Sequence, residues 1–273
     1  MAKEFDLMSA KPKKLLKGKT IIVTGCSSGI GWETAKTIKK YGGTVLGVDI
    51  NMTTDHVDEF YKADLSDKAT IEALVDALPS GTDGLANIAG LPPTAPADLV
   101  IKVNLVGLKH FTELMVPKLK DDASIVNLAS LAGFHWDHHI PQIKDSYDLD
   151  FDGVANFVQR YGIDLEQGRS YFFTKEALVV WTMKMRWAWR DRGIRMNSVS
   201  PGPVDTPILK DFIETLGERA EEDMAVMDRP GLPTDIAPIV AFMLSDMSAW
   251  MRGLNIPADG GMSSHLLCNM HGL

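Results

Sequence analysis

From Thr20 onward, short apolar runs alternate with amphipathic stretches of helical length along almost the whole chain. The runs TIIVT (20–24), TVLGVD (44–49), FYKAD (60–64), GLANIA (84–89), ASIVNLAS (123–130), IRMNSVS (194–200) and LNIPAD (254–259) are rich in β-formers and bounded by turn residues, which predicts seven strands. They read as nearly continuous apolar runs, as strands covered on both faces do. Helical periodicity predicts helices over 30–41, 67–78, 97–120, 170–191 and 234–245, each long enough for a right-handed crossover between parallel strands. The pattern therefore predicts an α/β fold: one doubly wound domain over 19–273 with a seven-stranded parallel sheet.

Two stretches, 131–169 and 203–232, break this rhythm where loops leave the carboxyl ends of strands, the place where such folds bind ligands. Long loops in compact domains are usually lids or binding loops, so both are expected to cover the site. Residues 1–18 carry Lys3, Lys11, Lys13, Lys14 and Lys17 and read as a flexible, solvated arm; an anionic partner is the alternative.

Overall charge narrows the function. With 28 basic and 36 acidic residues the chain carries a net −8, which leaves no broad positive field for nucleic acid. No window is apolar for the roughly 18 residues a membrane span needs, and the start lacks a signal peptide's apolar core, so a soluble cytoplasmic protein is expected. Cys26 and Cys268 stand far apart and form no paired spacing for zinc or a disulfide framework.

Directly after the first strand comes TGCSSGIG, with Gly25, Gly29 and Gly31 spaced G-x-x-x-G-x-G ahead of a helix beginning near Ile30. Glycines let backbone approach a pyrophosphate without a side-chain clash, and the amides and dipole of a helix start favour the anion. Asp49 ends the second strand 18 positions past the last glycine, where a carboxylate can accept from ribose hydroxyls and would repel a 2′-phosphate. Cys26, Ser27 and Ser28 provide no offsetting cation, so NAD is expected rather than NADP. Asp49 as a simple strand terminator is the plainer alternative.

In SYFFTKEAL, Tyr171 and Lys175 lie four residues apart and project from one helix face. A tyrosine near pKa 10 is a poor base at neutral pH, and a neighbouring ammonium favours its phenolate. Ser130, at the end of the fifth predicted strand, could polarise a substrate oxygen beside Tyr171. Asn104 lies within the apolar helix DLVIKVNLVGL, where a buried amide is costly unless it holds water or backbone. Ordinary helix packing is the alternative for it.

Together, TGCSSGIG, NIAG (87–90), Asn104, Ser130, YFFTK and SPGPVDTP (200–207) resemble the short-chain dehydrogenase/reductase family over nearly all of residues 18–262. The resemblance implies that Tyr171 is the general base, Lys175 lowers its pKa and holds the nicotinamide ribose, Ser130 orients the reacting oxygen and Asn104 supports a water relay. It implies further cofactor contacts from Ser27, Ser28 and Ile30 in the turn, from Asp64 and Leu65 beside adenine, and from Asn87, Ala89 and Gly90 along the cleft. Pro201, Gly202, Val204 and Thr206 are expected to meet the carboxamide. FFTKEALVVW, IRMNSVSPGPVDTPIL and INIPADGG are similar to the bacterial subgroup containing coniferyl-alcohol dehydrogenase and 3α-hydroxysteroid dehydrogenase/carbonyl reductase. Ser130 and Tyr171 are 41 positions apart, well beyond the family's usual gap, and Phe172 and Phe173 replace small residues.

The expected activity is NAD-dependent hydride transfer to and from a hydrophobic alcohol, with a coniferyl-type aryl alcohol first and a hydroxysteroid second. A protein that senses NAD without turnover is the rival, and the intact set Asn104, Ser130, Tyr171 and Lys175 argues against it. A homodimer or homotetramer is implied, although the insert would obstruct the helix-pair interface common in the family. His135, His138 and His139 match no closed metal motif, so no metal is expected and they read as a polar lid segment. Phe134 and Trp136 there are candidates for burying an aryl or alicyclic substrate, with ordinary lid packing equally open. Trp181, Trp187 and Trp189 read as core or interface residues. Pro207–Pro230 should be a substrate flap, with Glu218, Glu221 and Glu222 on its wet face.

Overall fold

The computed structural model describes residues 14–217 and 226–273. Lys3, Lys11, Lys13, Glu218, Glu221 and Glu222 lie outside the described residues.

Seven parallel strands form one sheet in the order β3-β2-β1-β4-β5-β6-β7. They are β1 (Thr20–Thr24), β2 (Thr44–Asp49), β3 (Glu59–Lys62), β4 (Thr82–Asn87), β5 (Leu119–Leu128), β6 (Arg195–Pro201) and β7 (Asn255–Ala258). Side chains alternate across the sheet. Ile22, Leu85 and Ile125 pack into one apolar layer, while Ile21, Val23, Ala86 and Val126 pack into the other. Because the winding reverses between β1 and β4, the crevice at their carboxyl ends is the topological switch point where such folds hold ligands.

Helices α1 (Gly29–Lys40) and α2 (Lys68–Ala77) follow the prediction closely. The expected helix over 97–120 is compound: α3 (Ala97–Ile101) runs through a π-helical segment, Lys102–Gly107, into α4 (Leu108–Met115). A short 3₁₀ turn, Val116–Lys118, then ends it and β5 starts at once at Leu119. Pro117 lies in that turn, and Lys120, Asp121 and Asp122 are exposed, so polarity concealed the first third of the strand. A Cβ on Gly107 would stand 1.9 Å from the Leu65 carbonyl oxygen, so the π segment can approach the β3–α2 turn only through a glycine.

The insert contributes α5 (Ile140–Asp145) and α6 (Val154–Tyr161). Ile143, Val154, Phe157 and Val158 form a third apolar cluster with Ile101, Leu105 and Phe173, so the insert has a core of its own against the helical face. Lys109 reaches out of α4 and donates to the carbonyls of Ser146 at 3.1 Å and Tyr147 at 2.6 Å. Burial pushes its pKa down, and those carbonyls compensate for the ammonium's lost water.

α7 (Arg169–Lys184) ends earlier than predicted and gives way to 3₁₀ turns. Trp181 is buried, Trp189 packs at the edge of the core and Trp187 is exposed, which corrects the core reading for that residue. α8 (Leu209–Leu216) occupies the flap, α9 (Pro233–Leu244) packs beside α1, and α10 (Met262–His271) follows β7 without having been anticipated. The expected arm also ends earlier than 18. Leu16 is fully buried against the second apolar layer, and its amide donates to the Tyr41 carbonyl at 3.1 Å, because an apolar pair, Leu15–Leu16, interrupts the lysine-rich stretch.

Candidate active site

The turn between β1 and α1 is shaped by contacts only glycine permits. Gly25 has φ +73°, and a Cβ there would stand 2.8 Å from the Ala89 backbone; a Cβ on Gly31 would stand 1.9 Å from the Gly25 oxygen. The Thr24 hydroxyl accepts from the Ile88 and Ala89 amides at 3.0 and 3.1 Å, tying the ends of β1 and β4. Ser28 caps α1 by position but makes no side-chain cap bond, so the first amides of α1 remain available to an anion. Gly31→Ala should therefore lower the melting temperature by about 5 °C, as overpacking does. It should also remove saturable NADH binding, both read by thermal melts and fluorescence titration.

Asp49 stands at the end of β2 as expected. Its Oδ2 accepts from the Ser27 amide at 3.0 Å and hydroxyl at 2.8 Å, and its Oδ1 from the Asn51 amide at 2.9 Å, so the carboxylate is aimed by the glycine turn. Asp64 is exposed and accepts from the Ser66 amide, whereas the Leu65 side chain is buried in the core. The Asn87 side chain is likewise turned inward. It donates to Thr112 and Asn127, both at 2.9 Å, and Asn127 donates on to Thr182 at 3.0 Å. What Leu65 and Asn87 can offer a ligand is backbone. Gly90 does line the cleft, as do Ile30, Pro201, Gly202, Val204 and Thr206.

Asn104 sits in the π segment and grips the chain after β4: its Oδ1 accepts from the Leu91 amide at 2.7 Å and its Nδ2 donates to the Leu91 carbonyl at 3.0 Å. The backbone-holding role foreseen for a buried amide is thus the one seen. A Cβ on Gly90 would stand 3.3 Å from the Asn104 Oδ1 and 3.9 Å from the Lys175 Nζ, so both side chains approach Gly90 closely.

Ser130 lies two residues beyond the end of β5, not within it, and caps a 3₁₀ turn by accepting from the Ala132 amide at 3.2 Å. Its hydroxyl also hydrogen-bonds Tyr171, which is buried on the first turn of α7. Lys175 Nζ lies 5.3 Å from the centre of the Tyr171 ring and donates to the Leu128 carbonyl at 2.8 Å. Burial pushes the Tyr171 phenol up to about 12 against the lowering effect of Ser130, and pushes Lys175 down to about 8. The ammonium was expected to depress the phenol; in the free protein burial sets the direction for both groups, because both lose water and both are driven toward neutrality. The arrangement can move a proton between Tyr171 and an oxygen held by Ser130.

These three side chains share a cavity of about 600 Å³. Phe134, Phe172 and Phe212 line it, with Phe212 packed edge-on against Tyr171 at 4.8 Å between ring centres. Trp136 instead packs against the core. Phe212 comes from the flap, 41 residues after Tyr171, and no spacing in the sequence links the two. His135 and His138 stack at 5.1 Å, and with Asp137 offer ligand atoms within 4.8 Å of one another, whereas His139 turns toward Glu176 on α7. Arg169, Glu176 and His139 all reach the cavity wall; His139 was read from the sequence only as part of a polar lid segment, and Arg169 and Glu176 were not singled out. The available signal was a lone acid, Glu176, in an otherwise apolar stretch of helix. No helix among the described residues is long and apolar enough to cross a membrane.

This sheet order, glycine turn and Ser–Tyr–Lys cluster define a nucleotide-binding oxidoreductase scaffold, and comparison with known proteins makes the assignment specific. The short chain dehydrogenase family model matches residues 19–141, and a second, described as enoyl-(acyl carrier protein) reductase, matches residues 157–263. The chain is 41% identical over 252 residues to the coniferyl-alcohol dehydrogenase of a Pseudomonas strain, covering 91% of this chain and 98% of that one. It is 28% identical to the 3-alpha-hydroxysteroid dehydrogenase/carbonyl reductase of Comamonas testosteroni, covering 89% and 96%. Among solved structures, the 3-alpha-hydroxysteroid dehydrogenase of Pseudomonas sp. B-0831, complexed with NADH, superposes with a TM-score of 0.80 at 25% identity, covering 91% and 98%. The chain is an oxidoreductase of the short-chain dehydrogenase/reductase family.

Proposed function

We propose that this protein is an NAD-dependent alcohol dehydrogenase that oxidises a hydroxyl on a hydrophobic aryl alcohol, and reduces the matching carbonyl in reverse. The observation that carries this reading is the buried Tyr171 paired with the half-buried Ser130 beside Lys175, in the wall of a cavity lined by Phe134, Phe172 and Phe212. Ser130 holds the substrate oxygen and Tyr171 takes its proton as the carbinol hydrogen leaves as hydride. NAD, when bound, would supply the hydride acceptor. Gly25, Gly29 and Gly31 with the open start of α1 hold its pyrophosphate, and Asp49 takes the ribose hydroxyls. Lys175 positions the second ribose, and Asn104 keeps the loop carrying Gly90 in place.

The identity to a coniferyl-alcohol dehydrogenase favours a coniferyl-type substrate. A hydroxysteroid is the second reading, favoured by the relative and the solved structure bearing that name. Neither reading calls for a metal. Because the insert occupies the outer face of α7 and the α3–α4 run, an assembly of two or four copies would use another face.

A screen of alcohols with NAD and NADP, following reduced-cofactor absorbance, tests the proposal. NAD should be preferred, and Asp49→Ser should shift kcat/KM toward NADP relative to NAD by on the order of 10- to 100-fold, since it removes a carboxylate facing the 2′-phosphate. Equal preference before and after the change would take Asp49 out of cofactor choice.

A further inference from the structure

Hydride transfer as proposed leaves one ionic cluster of the cavity unused. Glu176 follows Lys175 on α7, is 2% exposed and lines the cavity. Arg169, the first residue of the same helix and seven residues before Glu176, donates to both of its oxygens, Nη1 to Oε1 at 3.1 Å and Nη2 to Oε2 at 2.9 Å. His139, contributed by the insert, brings Nδ1 to 3.1 Å from Oε2 but off the line a hydrogen bond needs, so this buried nitrogen has no hydrogen-bond partner. The arginine forms one edge of the pair only. A carboxylate accepts at about four lone-pair positions, so the Glu176 oxygens keep accepting capacity after both Arg169 bonds.

A buried ion pair is costly to desolvate and is weak evidence of a purely stabilising role. We propose that Glu176, Arg169 and His139 form a polar subsite of the substrate cavity that takes a hydroxyl carried on the substrate's ring, and that the enzyme thereby selects phenolic aryl alcohols over their unsubstituted counterparts. The inference rests on the dehydrogenase reading above. The chemistry of the wall decides the class of group. The carboxylate repels an anionic substituent and the guanidinium repels a cationic one, whereas an O–H can donate to Glu176 and accept from His139 in the same place. A bare ring edge would leave the spare Glu176 lone pairs and the His139 nitrogen facing hydrocarbon, and an unmade bond at a buried polar group is costly. Glu176 lies five residues along α7 from Tyr171, about 7.5 Å of helical rise, comparable with the span across a para-substituted ring. The aromatic side chains Phe134 and Phe172 line the same cavity.

The test compares 4-hydroxycinnamyl alcohol with cinnamyl alcohol, with NAD, in the full-length enzyme, its His139→Leu variant and the charge-balanced double variant Arg169→Gln with Glu176→Gln. The reading is the ratio of kcat/KM for the two alcohols within each enzyme, which cancels any loss that a variant imposes on both substrates. Wild type should favour the phenol by about tenfold or more, the range of one hydrogen bond to a charged group. His139→Leu should cut the ratio below about threefold, mostly through KM, and the double variant should do the same. His139→Leu alone suffices if the double variant fails to fold, since His139 lies on the insert and is not packed within α7. Turnover of both alcohols without discrimination, or a ratio that survives both changes, overturns the subsite and leaves the dehydrogenase intact. Turnover of neither alcohol overturns the aryl-alcohol reading, and the subsite with it.

Discussion

Replacing Tyr171 with phenylalanine should lower turnover by about a thousandfold while NADH binds with unchanged affinity, because a positioned general acid or base contributes 10²–10⁴-fold to such a reaction. The ring itself is not the working part. Phe212 packs on it edge-on, and a phenylalanine keeps that contact. The hydroxyl is what hydrogen-bonds Ser130. Losing that one bond should cost about 1 kcal/mol of stability, so the variant remains folded and its defect is chemical. Single-turnover hydride transfer and NADH fluorescence titration separate the two effects. A variant within tenfold of wild-type turnover would show that another group moves the proton.

Lys175→Met should abolish efficient turnover and at the same time change how stability depends on pH. Burial holds Lys175 at about 8, against 10.5 for a free lysine. Between those values the unfolded chain binds more protons than the folded one, so wild-type stability rises with pH through that window. Below pH 8 the lysine is charged in both states, and the folded state bears the whole cost of the buried ammonium, about 3 kcal/mol. At about pH 9.5 the remaining cost is roughly 1.4 kcal/mol. The methionine variant lacks this group, so the stability difference between the two proteins should swing by about 2 kcal/mol toward wild type from pH 7 to 9.5. Part of the relief at pH 7 is offset because the Leu128 carbonyl loses its donor. Urea unfolding of both proteins at the two pH values measures the swing, and parallel behaviour would mean that the ammonium is not penalised by burial.

Much of the site was legible along the chain because it depends on local spacing. Tyr171 and Lys175 share a helix face for any helix that contains them. Gly25, Gly29 and Gly31 announce a turn that no side chain can enter, and the contact distances at Gly25 and Gly31 bear this out. Asp49 could be placed because a strand of six residues ends at it. Elsewhere the local signal pointed the wrong way. Lys120, Asp121 and Asp122 look like a loop, yet they belong to β5, where exposure at the strand's start tolerates charge. Ser130 reads as the last residue of a strand and is instead the cap of the turn that follows.

Residues that meet only through folding carried no such signal. Phe212 reaches Tyr171 from the flap, His139 reaches Glu176 from the insert, and Lys109 holds the carbonyls of Ser146 and Tyr147. Each pairing joins segments whose order along the chain says nothing of their approach. The same holds for protonation: the residue types at 171 and 175 predict a depressed phenol, and only the depth of burial reverses the direction in the free protein.

The periodicity of apolar residues and the turn chemistry between them determined the doubly wound sheet, the nucleotide turn and the Tyr–Lys helix, since these follow from contacts a few residues apart. The tertiary structure decided the shape and polarity of the cavity, the orientation of Asn87 and the proton affinities of Tyr171 and Lys175. Those properties depend on long-range packing and on how much water it excludes, and neither is written in the spacing of residues along a chain.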